Sequence, residues 1–378
     1  MLILIVFSIF ISAYYLGAIA FLRKGLFSLS ATGEAQSLTY SIIIAAHNEE
    51  KFLGRCLDSV FSQTLPADRY EVFVVNDRST DKTEEIARRY AEEHPGLKVL
   101  RIEETPYGFS PKKYAVIQGV NQASHDVIVY TDADCIVPST WLETIDRNFT
   151  PQIGLIQGHT SYIEAPQISK LFWNLQSIDF LSHGVVSAGG IGAGLHINSN
   201  ANNFAFRKEA FDGVGGYGDA QRIISGDDDL LLQRLAKQGR WQIHYMSDPA
   251  GAVKTYPCYS LVELFEQRKR WGSKSVYYNG AQISFLTGIF LFYMSIFVSL
   301  GAGFFNPTGF GLFVALVLVK AAGEMLLMWP GTRILHKPFL RKYILPASLL
   351  QLIVVVMAVV FGVFGKFNWK GQKFRRRI

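Results

Sequence analysis

Apolar positions along this chain fall into three regimes. Residues 1–22 carry no charged side chain, about the length needed to cross a bilayer. Arg23 and Lys24 follow at once. A cleaved signal peptide carries its positive charge ahead of the apolar run, so the pattern predicts an uncleaved anchor over 1–24 whose C-terminal end is cytosolic. From 38 to 280, short apolar runs alternate with polar and charged stretches, as in a folded domain that faces water. From 281 to 366 long apolar runs return, at 283–305, 310–328 and 344–365, and predict about three further membrane helices. Asn306-Pro-Thr308 makes a tight turn between the first two. Residues 367–378 form a basic tail.

Within 38–280 the pattern reads strand, helix, strand, helix. Residues 39–46 and 70–76 are β-rich and apolar, which suits buried parallel strands. Residues 52–61 read as a helix. Asp81-x-x-Glu84 resembles a capping box at the start of a helix reaching about residue 93, which Pro95-Gly96 ends. Residues 97–102 read as a third strand, 112–123 as a helix and 127–130 as a fourth strand. Such alternation predicts an open, doubly wound α/β sheet with ligands at the C-terminal ends of its strands. The first strand runs into Ala45-Ala-His-Asn-Glu-Glu50 instead of G-x-G-x-x-G, and no P-loop motif occurs. Nicotinamide, flavin and P-loop nucleotide domains are thereby set aside.

The 378 residues carry a net charge of +6. Much of the excess flanks the apolar runs, at Arg333, Lys337, Arg341 and Lys342 and at Lys366, Lys370, Lys373, Arg375, Arg376 and Arg377. No basic stripe interleaved with aromatics occurs in the middle domain, which argues against nucleic acid as a partner. Cys56, Cys135 and Cys258 are isolated, so neither a zinc site nor a disulfide framework is expected, and the domain is expected to face the reducing cytosol. If all three later runs cross, the basic tail lies outside, against the charge rule. Either one segment is re-entrant or interfacial or the rule fails here, and a cytosolic tail is the preferred reading. Lys320 and Glu324 stand at i, i+4 inside the second run and can pair on one helix face. A charge-neutral pair near the interface is preferred there to an ion path.

Three polar motifs punctuate the middle region. The first is Thr131-Asp-Ala-Asp134, a D-x-D at the end of the fourth strand. Two carboxylates on one side of a strand end repel unless a cation lies between them, which suits Mg²⁺ or Mn²⁺. The second is the run Ser225-Gly-Asp-Asp-Asp-Leu-Leu-Leu-Gln-Arg234, whose helix Gly239 closes. Clustered acids raise one another's pKa, as a base working near neutrality needs. Asp229 reads as an acid that favours the helix dipole. The third is Gln267-Arg-Lys-Arg-Trp271, in a helix from Ser260 that puts Gln267, Arg270 and Trp271 on one side. Arg268 and Lys269 read as membrane-facing. Asp77 follows an apolar strand and faces the ligand crevice. Residues 170–181 are rich in apolar and aromatic side chains, consistent with core packing or with a helix lying in the membrane interface. The glycine- and asparagine-rich stretch 184–203 suggests a close backbone approach to a sugar or acceptor.

In this order, and followed by apolar spans, these motifs resemble a membrane-bound, inverting family-2 glycosyltransferase over residues 39–275. The resemblance implies a GT-A fold (a doubly wound α/β sheet) with N- and C-terminal transmembrane helices. It also implies transfer of a sugar from a nucleotide-diphosphate donor, a UDP- or GDP-sugar. On it, Asn48, Glu49 and Asp77 form the nucleotide pocket, beside His47, a lone histidine of the kind that more often serves structure. Lys112 and Lys113 match a basic pair near the donor phosphates. Asp132 contacts the nucleotide-sugar and shares the metal site with Asp134, the direct ligand of Mg²⁺ or Mn²⁺. Asp228 is the general base and Asp227 lies beside the acceptor. Gln267 and Arg270 hold the diphosphate, and Trp271 is the acceptor platform. Asn368-Trp-Lys-Gly371 also resembles the end of such enzymes.

The implied protein is a multi-pass protein of the cell membrane, with its catalytic domain and interfacial helices (38–280) on the cytoplasmic face. The implied activity is transfer to a lipid or lipid-linked acceptor, with a processive polysaccharide synthase as the alternative. A non-catalytic membrane scaffold is the remote one, since every expected carboxylate is present.

Overall fold

The computed structural model describes residues 1–29, 33–365, 367–369 and 372–374. Lys366, Lys370, Gly371, Arg375, Arg376 and Arg377 lie outside the described residues, and with Ile378 they leave half of the 367–378 tail and the Lys370-Gly371 half of its motif outside the description. The elements, in chain order, are α1 (Leu2–Phe27), β1 (Tyr40–Ala46), α2 (Leu53–Phe61), β2 (Tyr70–Asp77), α3 (Thr83–Glu93), β3 (Leu97–Ile102), α4 (Pro111–Gln122) and β4 (Val127–Asp132). Then come β5 (Cys135–Ile136), α5 (Trp141–Asn148), β6 (Ile153–Gly158), β7 (Thr160–Tyr162), α6 (Lys170–Gly192), β8 (Phe204–Arg207), α7 (Lys208–Gly213) and α8 (Asp229–Gln238). Last are β9 (Gln242–Met246), β10 (Val253–Thr255), α9 (Leu261–Ser273), α10 (Gly280–Gly303), α11 (Pro307–Ile334), α12 (Ile344–Phe364), β11 (Phe367–Trp369) and β12 (Gln372–Phe374). The chain divides into two compact units. One holds Met1–Leu29, Pro166–Ile197 and Cys258–Lys373, and the other Ser30–Ala165, Asn198–Pro257 and Phe374–Ile378.

The second unit is built on a seven-stranded sheet of order β3-β2-β1-β4-β8-β6-β9. β1, β2, β3 and β4 pair in parallel, as their continuous apolar runs predict. β8 then pairs antiparallel with both β4 and β6, and β9 returns parallel to β6, so the sheet is mixed. β1 is buried on both faces. Tyr40, Ile42, Ile44 and Ala46 share a core with Leu53, Leu57 and Val60 of α2 and with Trp141, Ile145 and Phe149 of α5. On the opposite face Ile43 presses on Gly119 of α4, where an added Cβ would come within 2.7 Å of the isoleucine. α4 therefore lies close on the sheet, and its first turn reaches the strand ends. The capping box at Asp81 does not form. The Asp81 carboxylate instead accepts hydrogen bonds from the backbone of Thr83 (3.0 Å) and Glu50 (3.1 Å), and Glu84 turns to Asn76 and Arg88. A turn pinned by Asx-type bonds replaces the reciprocal cap.

The first unit holds the long apolar helices. Four stretches among the described residues are long and apolar enough to cross a membrane: Leu2–Phe27, Gly280–Gly303, Pro307–Ile334 and Pro338–Val363. The glycines read as an approach to a sugar serve a different purpose here. Residues 184–192 are the end of α6, and they let α6 cross α1 at backbone contact. A Cβ on Gly25 would lie 2.0 Å from the Gly189 carbonyl oxygen, and one on Gly192 would lie 2.1 Å from that of Gly25. Small residues allow helix backbones to cross this closely. The start of α6 is mostly packed, with Asn174, Ile178, Phe180 and Leu181 buried, while Leu171 remains exposed. Lys320 is fully buried, which excludes a solvated pair. It ion-pairs with Glu324 and donates to the Ser348 carbonyl (2.8 Å) and hydroxyl (3.0 Å), and Tyr293 donates to Glu324. Satisfying both charges among α10, α11 and α12 is what makes them tolerable there.

Candidate active site

The register of the parallel strands sets the site. Ala46 of β1 is level with Asn76 of β2, and Ala45 with Asp132 of β4. The C-terminal ends of β2, β1 and β4 therefore stand side by side, and the strand order reverses between β1 and β4, the kind of place where open α/β sheets bind ligands.

At the β1 and β2 ends the polar groups brace one another. His47 Nδ1 donates to the Asp77 carbonyl at 2.5 Å. Asn48 adopts a left-handed backbone (φ 55°), and its amide oxygen accepts the Thr80 N–H at 2.8 Å. The Glu49 N–H donates to the Thr83 hydroxyl at 2.7 Å. Asp77 is buried and ion-paired with Arg78 at 2.8 Å. Asn48 thus works first as a turn former. Its spare donors and the Glu49 and Asp77 carboxylates are the groups here that suit a nucleoside.

At the β4 end the two acidic motifs meet. Lys112, from the first turn of α4, places its ammonium 2.8 Å from Asp132 Oδ1 and 3.0 Å from Asp227 Oδ2. The Tyr130 hydroxyl lies within reach of the same two carboxylates, at 3.2 and 3.4 Å. Burial opposes the charged form of Lys112. Asp132 and Asp227 outweigh burial and hold the ammonium protonated well above its usual range. Burial likewise pushes the Tyr130 and Tyr217 hydroxyls well up, reinforced by Asp132 and Asp227 at Tyr130 and by Asp227 and Asp228 at Tyr217. Both stay neutral donors at any working pH. Lys113 is not a phosphate-facing partner of Lys112. It is fully buried and donates to the carbonyls of Ile223 (2.5 Å) and Ser225 (2.8 Å), fixing the chain that leads into Asp227.

Asp228 caps α8. Its Oδ1 accepts the Asp229 N–H at 2.7 Å and its Oδ2 the Ala201 N–H at 2.9 Å. Asp229 is fully buried and accepts the Ser199 N–H at 2.6 Å, so it ties down a loop as well as favouring the helix dipole. That loop is also anchored on the D-x-D strand. Thr131 donates to the Asn202 carbonyl at 2.8 Å, and Asn202 donates to the Cys135 sulfur at 3.0 Å. The residues around Asn198–Asn203 therefore strap the second acidic motif to the first. Asp134 is half-buried, with the Cys135 thiol 3.6 Å from its Oδ1. Burial, then Asp134 and Asp132, push the Cys56 and Cys135 thiols up and leave them unreactive. All three cysteines are free and buried.

Among the described residues no group of three or more His, Cys, Asp or Glu side chains forms a metal cage. An Mg²⁺-type site needs none, because one or two carboxylates suffice when substrate phosphates and water complete the shell. Asp134 fits that demand. Asp132, the other acid of the predicted pair, already has the Lys112 ammonium against it.

Gln267, Arg270 and Trp271 belong to the other unit, on α9. Arg268 is not membrane-facing. It is buried, donates twice to Asp179 of α6 (2.9 and 2.6 Å), and lays its guanidinium 4.1 Å from the centre of the Trp271 ring. Gln351 of α12 donates to the other Asp179 oxygen at 3.1 Å. Burial alone would raise Asp179, but Arg268 and then His183 hold it below its usual value. Tyr130 was missed, although alternation puts it on the Asp132 side of β4 and was a signal that could have found it. Tyr217 and Asp179 carry no motif and were missed.

Residues 41–150 match the family model described as Glycosyl transferase family 2. The chain is 28% identical over 250 residues to a beta-monoglucosyldiacylglycerol synthase of Synechocystis sp., covering 64% of this chain and 49% of the relative. It is 27% identical over 288 residues to a poly-beta-1,6-N-acetyl-D-glucosamine synthase of Staphylococcus epidermidis, covering 71% of this chain and 63% of the relative. The match thus spans about half the length of the first of these relatives. Among solved structures, the mannosyltransferase PcManGT from Pyrobaculum calidifontis, in complex with GDP-Man and Mn²⁺, superposes with a TM-score of 0.57. It is 18% identical and covers 93% of this chain and 99% of that one. The fold is GT-A, a mixed-sheet α/β architecture.

Proposed function

Since the chain carries a glycosyl transferase family 2 domain, we propose that it is a multi-pass membrane enzyme that moves a sugar, with inversion, from a UDP- or GDP-sugar to a hydroxyl of a lipid or lipid-linked acceptor. Residues 1–24 and 281–366 anchor it, and the region 38–280 works on the cytoplasmic face, with α6 and α9 as its interfacial helices.

The observation that carries this reading is the Lys112 bridge, which ties the D-x-D acid Asp132 to Asp227 of the D-D-D run. Donor-side and acceptor-side carboxylates need to stand together for a direct displacement. Asn48, Glu49 and Asp77 receive the nucleoside, and Asp134 with Asp132 beside it holds Mg²⁺ or Mn²⁺. When bound, that ion neutralises charge on the departing diphosphate. Lys112, Gln267 and Arg270 contact the diphosphate. Asp228 accepts the proton of the incoming hydroxyl, opposite the leaving group, while its contacts from Ala201 and Asp229 hold the carboxylate still. Asp227 and the indole of Trp271 position the acceptor.

Similarity to the diacylglycerol glucosyltransferases supports a lipid acceptor. The Q-x-x-R-W motif and similarity to the poly-N-acetylglucosamine synthase support a processive synthase as the second reading. Product length separates them. Membranes containing the chain, given radiolabelled UDP-glucose, UDP-N-acetylglucosamine or GDP-mannose, are expected to yield label in a short, organic-extractable product. A long water-soluble polymer would reject the lipid reading.

A further inference from the structure

Two carboxylates that converge at a largely enclosed point need positive charge between them, and in a nucleotide-sugar site a divalent ion is the obvious supply. Between Asp132 and Asp227 the chain provides its own. The Lys112 ammonium lies 2.8 Å from one carboxylate and 3.0 Å from the other. The Tyr130 hydroxyl reaches the same two oxygens, and the Tyr130 ring lies 5.4 Å from the ammonium. The placement is built, not incidental. Lys112 issues from the first turn of a helix that Gly119 seats directly on β1. The next residue, Lys113, is buried and clamps the carbonyls of Ile223 and Ser225 just ahead of Asp227. One turn of α4 thus fixes both the ammonium and the acid that it meets.

An ion of the Mg²⁺ kind sits about 2.0–2.1 Å from its oxygens. An ion held by Asp132 and Asp227 would occupy the same gap as the ammonium, and two cations do not share it. Two of the three ammonium hydrogens are spent on the acids, which leaves one for a donor phosphate. We infer that Lys112 is a resident cation standing where a second divalent ion would otherwise bind. The site then takes one ion, at Asp134, and Lys112 joins the donor-side acid to the acceptor-side acid. This inference rests on the sugar-transfer reading only in placing the one ion at Asp134.

The test counts Mn²⁺ on the full-length protein in detergent, by equilibrium dialysis with the free ion read by electron paramagnetic resonance, with UDP and separately with GDP. Wild type and Lys112→Arg are expected to bind one ion per chain. Lys112→Met is expected to bind two, because the two acids are left facing each other. Lys112→Gln, polar but uncharged and one atom shorter, is the second variant should the methionine form not accumulate, and two ions are expected there as well. Two ions on wild type, or one on a folded neutral variant that still binds nucleotide, would overturn the inference. Asp134→Ala, counted in parallel, is expected to lose the single ion. If it keeps that ion while the Lys112 variants gain one, the metal assignment fails and the resident cation stands.

Discussion

Replacing Asp228 with asparagine keeps the side chain's size and removes its charge, so the effects on chemistry and folding can be separated. Both carboxylate oxygens are in use, Oδ1 on the Asp229 N–H at 2.7 Å and Oδ2 on the Ala201 N–H at 2.9 Å. The amide keeps one acceptor and turns its NH₂ toward a second donor, so one of the two bonds is lost. Losing a cap contact or stranding a buried N–H costs about 1–2 kcal/mol. Removing a general base costs about 10²–10⁴-fold in rate, or roughly 3–5 kcal/mol at 1.36 kcal/mol per decade. The rate effect therefore exceeds anything that partial unfolding explains at a temperature well below the melting transition. The assay is release of nucleoside diphosphate from the donor at saturating substrate, beside a thermal melt in detergent. Asp228→Asn is expected to melt only a few degrees lower, to bind UDP or GDP as wild type does, and to turn over at least a hundredfold more slowly, on the rate argument above. Turnover within tenfold of wild type would remove Asp228 from the role of base.

Other consequences follow from the same contacts. Asp179→Ala leaves the buried Arg268 guanidinium without its carboxylate. It should cost about 3–5 kcal/mol, read as faster thermal inactivation, with a shift in tryptophan emission as Arg268 leaves the Trp271 ring. Asp179→Asn should cost clearly less. Glu71 accepts from Ser41, Lys98 and Ser124; burial alone would raise it, but those bonds hold it at about 2. Its contribution is complete above the ordinary carboxylate range and disappears as pH falls through about 2, so Glu71→Gln should cost about 2 kcal/mol at pH 7 and almost nothing near pH 2 in denaturation titrations. Gly25→Val drives a side chain into the Gly189 carbonyl and should prevent α1 from docking on α6, seen as loss of monodisperse protein on size exclusion.

The parallel half of the sheet was legible because β1, β2, β3 and β4 are buried parallel strands separated by helices, and that arrangement writes continuous apolar runs. The other half was not. β6, β8 and β9 enter one sheet in both directions, and strand direction is set by the path of the chain between them, not by the composition of each run. Gly189 and Gly192 read as an approach to a sugar for the same reason: what they approach is the backbone of α1, far off in sequence. At the site, the acidic motifs stood out because two or three carboxylates in a row are costly without a ligand or a counter-ion. Which of those it is depends on where α4 sets Lys112 and Lys113. Adjacent and identical, they do different work, one between two acids and one under a loop. Arg268 shows the same limit. Its neighbours suggested a membrane-facing charge, and only the packing of α6 beside α9 reveals Asp179.

The most direct test is to give the purified full-length chain a panel of UDP- and GDP-sugars, with a lipid extract as acceptor, and to follow free nucleoside diphosphate. Release with at least one donor is expected in Mn²⁺ or Mg²⁺, and chelation or Asp134→Ala should abolish it. Absence of release from every donor, or release indifferent to both treatments, would contradict metal-assisted sugar transfer at this site.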